Sequence, residues 1–170
     1  MEPGGDPIAS FEDWASARQH GLLRSAFLIT GDIHRAEDLV QDALFKIALR
    51  WDRLRSGNPD AYVHTIVYRT HVSWWRARRE TPVAHVQDTA RPVDDAERPL
   101  IVQNALARLT AKQRAVLVLR YFDDLTETET ALVLGVSVGS VKKQASAAKQ
   151  RLRAIAPELK ELADLRDDTP

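Results

Sequence analysis

The feature that most restricts the fold of this chain is the spacing of three residues near its C-terminus. Ala131, Gly135 and Val141 follow one another at intervals of four and six residues. An alanine lets two helices approach closely, a glycine accepts the positive φ of a sharp turn, and a valine anchors the second helix inward. These residues match the fifth, ninth and fifteenth positions of a helix-turn-helix, whose second helix enters the major groove of DNA.

Capping residues support both helices of this motif. Thr126 and Glu129 have the spacing of a capping box, and Ser137 is a suitable N-cap for the second helix. No acidic residue occurs between residues 130 and 157. A helical hairpin with a solvated basic face is the alternative; the two caps and the absence of acid favour DNA binding. The outward positions of the second helix are Ser140, Lys142, Lys143, Gln144, Ser146, Ala147 and Lys149.

Helical periodicity also dominates the N-terminal half. Between residues 35 and 51, apolar residues recur every three or four positions, and Asp32 is a reasonable N-cap. An earlier helix covers about residues 11–29, and a third begins at Asn58-Pro59, an N-cap followed by proline at the first helical position. We therefore predict an all-α protein, with two small helical domains joined by a flexible linker and the helix-turn-helix in the second.

A change in composition predicts the domain boundaries. Residues 80–99 carry three prolines and several acids and show little periodicity, as linkers do. We expect a first domain at residues 8–80, an acidic linker at 81–98, a second domain at 99–156 and an acidic tail at 157–170. Leucines spaced along the tail allow a short extra helix there.

Composition limits the functional classes. The chain of 170 residues has no cysteine, which excludes disulfides and thiolate metal sites. No apolar run approaches the ~18 residues of a membrane span, and the acidic N-terminus does not resemble a signal peptide. We therefore expect a cytoplasmic protein with no membrane insertion. The histidines form no recognisable catalytic set and no glycine-rich phosphate loop occurs, so we expect no enzyme, no cofactor and no metal.

The charges are unevenly distributed although the net charge is zero. Residues 61–79 and 130–157 are both free of acid and contain several basic residues. Acidic residues gather between and after these blocks. This distribution indicates two separate places where the chain meets phosphate groups.

Two segments resemble a known family. Residues 117–126 (LVLRYFDDLT), with Glu129, Ala131 and residues 134–142, are similar to region 4 of bacterial sigma factors, which recognises the −35 promoter element. Residues 22–32 and 36–43 resemble region 2 of the extracytoplasmic-function (ECF) group of these factors. The resemblance covers about residues 11–79 and 99–155, with the linker in place of the intermediate domain. It implies a promoter-specificity subunit whose partners are core RNA polymerase and promoter DNA.

The resemblance implies two functions for the first domain. The helix at residues 35–51 would bind the clamp helices of the largest polymerase subunit, although its polar face could equally be merely solvated. The predicted contacts are Glu37, Asp38, Gln41 and Asp42. The segment from residue 52 onward would capture the melted −10 element, since unpaired bases need aromatic or guanidinium surfaces for stacking. The predicted −10 residues are Arg53, Arg55, Asn58, Tyr68, Arg69, His71, Trp75, Arg76, Arg78 and Arg79.

In the second domain, the resemblance assigns phosphate contacts to Arg120 and the lysines, and base-edge contacts to four residues of the second helix. The predicted −35 set is Arg120, Ser140, Lys142, Lys143, Gln144, Ser146 and Lys149. The chain departs from the family pattern here: members often carry arginine where it has Gln144 and Ala147. Thr130 stands where an apolar residue is usual.

Other functions remain open at this point. A stand-alone helix-turn-helix regulator would bind duplex DNA as a dimer, but it would leave the amphipathic helix at residues 35–51 unexplained. An interaction protein that sequesters a partner is a third class. Sigma factors of this group are commonly held inactive by an anti-sigma factor, and the sequence neither shows nor excludes such a partner.

Overall fold

The computed structural model describes residues 10–80 and 97–159, apart from the side chains of residues 75, 76, 78–80, 97–100 and 158. Within these ranges every regular element is helical, which confirms the predicted all-α class. The elements are α1 (Phe11–Thr30), α2 (Ile33–Ala48), α3 (Trp51–Leu54), α4 (Pro59–Glu80), α5 (Glu97–Ala107), α6 (Ala111–Tyr121), α7 (Glu127–Leu134), α8 (Val138–Ile155) and a 3-10 turn (Pro157–Leu159). Most of the predicted linker and tail lies outside the described residues.

Local capping sets the ends of the N-terminal helices. The Ser10 hydroxyl accepts from the Asp13 amide at 3.1 Å and begins α1. Gly31 ends α1 in the left-handed region, with φ of +74°. The Asp32 carboxylate then accepts from the Arg35 amide at 3.1 Å, as predicted for the start of α2. Gly31 and Asp32 thus place a tight corner between α1 and α2, because glycine adopts a positive φ without steric cost.

The N-terminal half has its own apolar core between α1, α2 and α4. The predicted stripe of α2 is buried at Ala36, Leu39, Val40, Ala43 and Ile47, whereas Ala48, at the C-terminal end of α2, is exposed. The rings of Phe11, Trp14 and Trp51 pack together, with Trp14 and Trp51 centroids 5.4 Å apart. Asp60, in the first turn of α4, accepts from the Trp14 indole at 2.9 Å and pairs with Arg18.

The two halves of the described chain pack against each other. Leu28 and Ile29 of α1 lie in one buried cluster with Leu106, Leu117 and Leu152 of the C-terminal half. A second apolar contact joins α4 to the C-terminal half, where Tyr68 packs against a different buried cluster. A linker of the predicted composition permits both a closed and an extended arrangement, and in the structure the two halves are in contact.

Candidate nucleic-acid interface

The helix-turn-helix is formed by α7 and α8. Thr126 and Glu129 form the predicted capping box, in which the Thr126 hydroxyl accepts from the Glu129 amide and the Glu129 carboxylate accepts from the Thr126 amide at 2.8 Å. The hydrogen bond from the Thr126 amide is the main cause of a lowered pKa at Glu129. Gly135 ends α7 with φ of +67°, and Ser137 caps α8 through the Ser140 amide. The motif therefore has the turn and caps that its sequence predicts.

The inward residues of the motif leave one face of α8 to solvent. Ala131, Val141 and Ala145 are buried in a small cluster with Val116. Because these positions point inward, the intervening residues face outward. Lys142, Lys143 and Ser146 are exposed, and Ser140 and Gln144 are half-buried. Lys142 lies 3.4 Å from the Glu127 carboxylate.

Two predicted phosphate contacts lie in the interior instead. Arg120 is 6% exposed, because it ends a run of buried residues in α6, and α6 packs against both α1 and α8. Its guanidinium donates a hydrogen bond to the Leu125 carbonyl at 2.5 Å. Lys149 is 7% exposed and lies 4.7 Å from the Tyr121 ring centroid. It is one helical turn beyond Ala145 and shares its inward face. Phosphate contacts by these two residues would require both side chains to leave these positions.

The polar face of α2 is open. Glu37, Asp38 and Gln41 are exposed, and Asp42 is half-buried and pairs with Lys46 at 2.6 Å. These are the four residues predicted to contact core polymerase, and that role stays a prediction.

The same face continues into two exposed apolar residues. Phe45 is 63% and Leu49 is 70% exposed. Both follow Gln41 at intervals of four, so they extend the acidic stripe along one side of the helix. Neither residue was predicted as a site residue, although both lie outside the apolar stripe of the helix and could therefore have been expected on its exposed face. Together with the acids they form a mixed acidic and apolar strip, which we call the α2 strip (Glu37, Asp38, Gln41, Asp42, Phe45 and Leu49).

A basic and aromatic cavity opens between α3 and α4. It has a volume of about 310 Å³ and is lined by Arg50, Arg53, Leu54 and Tyr62. The Arg50 guanidinium donates to the Tyr62 hydroxyl at 2.8 Å. Of the predicted −10 residues, Arg53 lines this cavity and Arg55 is exposed nearby. The sequence reasoning did not include Arg50 in its −10 set, because nothing in the chain pattern shows that it meets Tyr62.

The predicted −10 residues of α4 divide into three groups. Arg69 is exposed, and Tyr68 is half-buried in the contact with the C-terminal half. His71 is 8% exposed, because it continues the buried stripe of Val63 and Val67. Burial, followed by the charges of Arg35 and Arg114, lowers its pKa to about 4. The remaining predicted residues lie on α4, but their side chains are outside the described set: Trp75, Arg76, Arg78 and Arg79.

Asn58 lies at the start of α4. Its side-chain oxygen accepts from the Ala61 amide at 2.9 Å, which confirms the predicted N-cap. It also lies close enough to Glu129 of the helix-turn-helix to contribute to the lowered pKa of that carboxyl. Asn58 thus lies where α4 meets the C-terminal half.

Metal binding and membrane crossing are two further properties that concern the described residues. No group of three or more histidine, aspartate or glutamate side chains there is placed to hold a metal ion. No described helix combines the length and apolarity that crossing a bilayer requires.

Comparison with protein families matches both halves of the chain. Residues 15–81 match the family model described as "Sigma-70 region 2". Residues 100–152 match the model described as "Sigma-70, region 4". The first match contains α2 and most of α4, and the second contains the helix-turn-helix.

Similar proteins are RNA polymerase sigma factors. The RNA polymerase sigma-E factor of Streptomyces coelicolor is 38% identical over 152 residues, which cover 86% of this chain and 85% of that protein. The ECF RNA polymerase sigma factor SigM of Mycobacterium tuberculosis is 31% identical over 157 residues, covering 87% and 77%. Among solved structures, the sigma factor RpoE of Bartonella quintana, in complex with the anti-sigma factor NepR, aligns with a TM-score of 0.68 at 24% identity, covering 84% of this chain and 96% of that one.

Proposed function

Because this chain belongs to the extracytoplasmic-function group of sigma-70 factors, we propose a division of work between its surfaces in promoter recognition. The chain is an RNA polymerase sigma factor that directs promoter-specific transcription initiation. The observation that carries this conclusion is the presence of both sigma regions in one chain. A stand-alone helix-turn-helix regulator is not favoured, because it would have no use for region 2.

The α2 strip is the proposed contact with core polymerase. Glu37 and Asp38 are exposed, Asp42 is half-buried, and the apolar side chains of Phe45 and Leu49 are more than half exposed. An interface commonly combines a desolvated apolar centre with a charged rim that steers association. The clamp helices of the largest subunit are the proposed partner, as the family resemblance implies.

The cavity between α3 and α4 is the proposed site for an unpaired base of the −10 element. Arg50 and Arg53 supply guanidinium groups, and Tyr62 supplies an aromatic ring. Such groups stack on bases and neutralise the backbone phosphates of a single strand. Arg55 and Arg69 would contact the strand on either side, and the basic residues at the end of α4 would continue its path.

The outer face of α8 is the proposed reader of the −35 element. Lys142 and Lys143 are exposed cations, and Ser140, Gln144 and Ser146 have side chains that can reach base edges. Lysine contributes point-charge contacts rather than the bidentate guanine contacts of arginine. We therefore expect phosphate contacts to supply more of the −35 affinity than base contacts do.

Three further statements belong to this proposal. The chain acts by binding and positioning and not as an enzyme, as sigma factors generally do. It works in the cytoplasm, where its polymerase is. An anti-sigma factor is a proposed regulator, supported by the NepR complex of the structurally similar RpoE.

Run-off transcription with core RNA polymerase on a pool of genomic promoter fragments tests the proposed function. We expect discrete transcripts that depend on the protein. Asp38→Ala/Asp42→Ala should reduce them about tenfold or more, corresponding to about 1.4 kcal/mol of lost polymerase binding.

The matched control is Glu12→Ala/Asp13→Ala, which removes two exposed acids from the first turn of α1, outside the α2 strip. Equal losses in both double variants would contradict the assignment of the α2 strip. Absence of any transcript, together with two-fold symmetric footprints on duplex DNA, would instead support the stand-alone regulator.

A further inference from the structure

Two segments of the chain form the walls of the cavity between α3 and α4. One wall consists of Arg50, just before α3, with Arg53 and Leu54 of α3, and the other is Tyr62 in the first turn of α4. The hydrogen bond from the Arg50 guanidinium to the Tyr62 hydroxyl, 2.8 Å long, joins the two walls directly. An aromatic ring and a guanidinium stack on a base through their faces, so the walls must keep their relative position if a base is to fit between them.

Trp14 of α1 contacts both walls with different parts of one side chain. Its ring packs on the ring of Trp51, the residue after Arg50, with the centroids 5.4 Å apart. Its indole N–H donates a hydrogen bond to Asp60 Oδ1 at 2.9 Å, and Asp60 comes two residues before Tyr62. Trp14 is 3% exposed and close-packed in the N-terminal core, which fixes its position.

Arg18 adds a second connection between α1 and Asp60. It follows Trp14 by one helical turn, so both side chains reach the same side of α1. The Arg18 guanidinium donates from Nε to Asp60 Oδ1 at 2.9 Å and from Nη2 to Asp60 Oδ2 at 3.0 Å. Burial raises the pKa of the Asp60 carboxyl, but the hydrogen bonds from Arg18 and Trp14 outweigh that effect, and the pKa is lowered. Asp60 is therefore an ionised group with donors directed at both of its oxygens.

The exposure of this ion pair favours orientation over stability as its role. The side chains of Arg18 and Asp60 are 45% and 44% exposed, and ion pairs at such positions contribute little to the stability of a fold. A two-point contact with a guanidinium, in contrast, fixes the direction of a carboxylate. Asp60 also lies close to the proposed path of an anionic strand, where its charge repels the phosphates. The positive N-terminal end of α4 favours an acid in its first turn, but that effect needs no contact with α1.

We propose that Asp60 is a positioning residue for the capture of a −10 base. Through Trp14 and Arg18 it fixes the first turn of α4 on α1. That turn carries Tyr62, which must stay opposite Arg50 for the cavity to keep its shape. Asp60 acts without touching the base. This inference rests on the proposed function of the cavity and adds the residues that hold its walls in place.

The first test uses the sign of the charge effect. Full-length protein is titrated into a fluorescent single strand that carries the −10 element of a promoter that gave a transcript. Asp60→Asn removes a negative charge, so Coulomb's law alone predicts tighter binding. Loss of positioning predicts the opposite, and we expect the affinity to fall at least about fivefold, within the range of coupling inside one hydrogen-bond network.

The matched control is Asp52→Asn, which removes an exposed acid next to Arg53. It should bind the single strand as tightly as the wild type or more tightly, because only the charge effect applies to it. If Asp60→Asn also bound at least as tightly as the wild type, Asp60 would not position the cavity and the proposal would be overturned.

The second test measures whether the cavity itself is affected. Abasic sites placed one at a time along the strand identify the captured base, where the wild type should lose at least about fivefold in affinity, as stacking of one base predicts. In Asp60→Asn the same abasic site should cost less than about twofold, because the cavity no longer holds the base. An undiminished loss would contradict the proposal. A parallel loss of affinity for a duplex carrying the −35 element would show a general effect on the fold, and it would refute the proposal too.

A double variant tests whether Asp60 acts through Tyr62. Asp60→Asn/Tyr62→Ala should bind the single strand no more weakly than Tyr62→Ala alone, because a displaced wall has no further effect once its ring is absent. Losses that multiply would show that Asp60 acts independently of Tyr62. Trp14→Phe covers the case in which Asp60→Asn fails to fold. It keeps an aromatic ring against Trp51, removes the indole donor and changes no charge, so it should weaken single-strand binding in the same way, and unchanged binding would count against the proposal.

Fluorine NMR without DNA separates this inference from the proposed function. The chain has three tyrosines, so 3-fluorotyrosine gives few signals, and that of Tyr62 is the one missing in Tyr62→Phe. The Tyr62 signal should broaden or split in Asp60→Asn and stay single in Asp52→Asn, and an unchanged signal in Asp60→Asn would overturn the inference. If abasic sites cost the wild type nothing at any position, the cavity captures no base and its proposed function fails, whereas the NMR result still decides whether Asp60 positions Tyr62.

Discussion

Thr130 is the position where a single substitution should stabilise this protein most simply. It lies in α7, is 0% exposed, and its hydroxyl has no hydrogen-bond partner among the described residues. A buried hydroxyl without a partner costs about 1–3 kcal/mol in protein mutational data. Thr130→Val replaces the hydroxyl with a methyl group of similar size and keeps the β-branched shape. We therefore expect the free energy of unfolding to rise by about 1–3 kcal/mol.

Urea and thermal unfolding followed by circular dichroism measure this change. The urea midpoint should rise with an unchanged m-value, and the melting temperature should rise by about 2–4 °C for each kcal/mol gained. Thr128→Val, at an exposed position of the same helix, is the matched control and should change the unfolding free energy by less than about 0.5 kcal/mol. If Thr130→Val were no more stable than the wild type, the hydroxyl would have a partner and the reasoning would fail.

Two further predictions concern backbone conformation and charge. Gly135→Ala should destabilise the protein by about 1–2 kcal/mol, because Gly135 has a φ of +67°. Gly21→Ala, inside α1 with open space around it, should stabilise the protein by about 0.5–1 kcal/mol. Chemical denaturation in which both variants change the unfolding free energy in the same direction would contradict this. Because the pKa of His71 is lowered to about 4, stability should fall by at most about 3 kcal/mol as pH drops from 6.5 to 4. In His71→Gln, urea unfolding at a series of pH values should show no such fall in stability. An unfolding free energy that falls with pH as steeply as in the wild type would refute the prediction.

The candidate −35 site shows how far sequence reasoning reached. The caps at Thr126 and Ser137, the turn at Gly135 and the inward Val141 were all predicted correctly, since each depends on residues within one or two helical turns. The outward cations of α8 follow from the same periodicity. Lys149 is different: its position repeats the inward spacing of Ala145, but a long charged side chain does not by itself indicate burial.

The candidate −10 site was less predictable. His71 continues the buried stripe of α4, yet its chemistry favoured a DNA-binding interpretation. Arg50 and Tyr62 meet only because α3 turns the chain back toward α4. Phe45 and Leu49 are exposed although large apolar side chains are usually buried, and the proposed contact with polymerase would account for their exposure.

Most of the helices, their N-caps and the two sigma regions could be predicted from the amino-acid sequence alone, whereas the helix predicted at residues 35–51 ends at Ala48 and Trp51 begins a separate short helix. Caps, left-handed glycines and apolar periodicity act between neighbours, so they can be recognised along the chain. The contact between the two halves, and the approach of Asp123 to His64 and to Ser25, 98 positions away, became visible only in the packed molecule. Such contacts depend on how whole helices pack, and an aspartate that will be buried between elements carries no local signal that distinguishes it from its exposed neighbour Asp124.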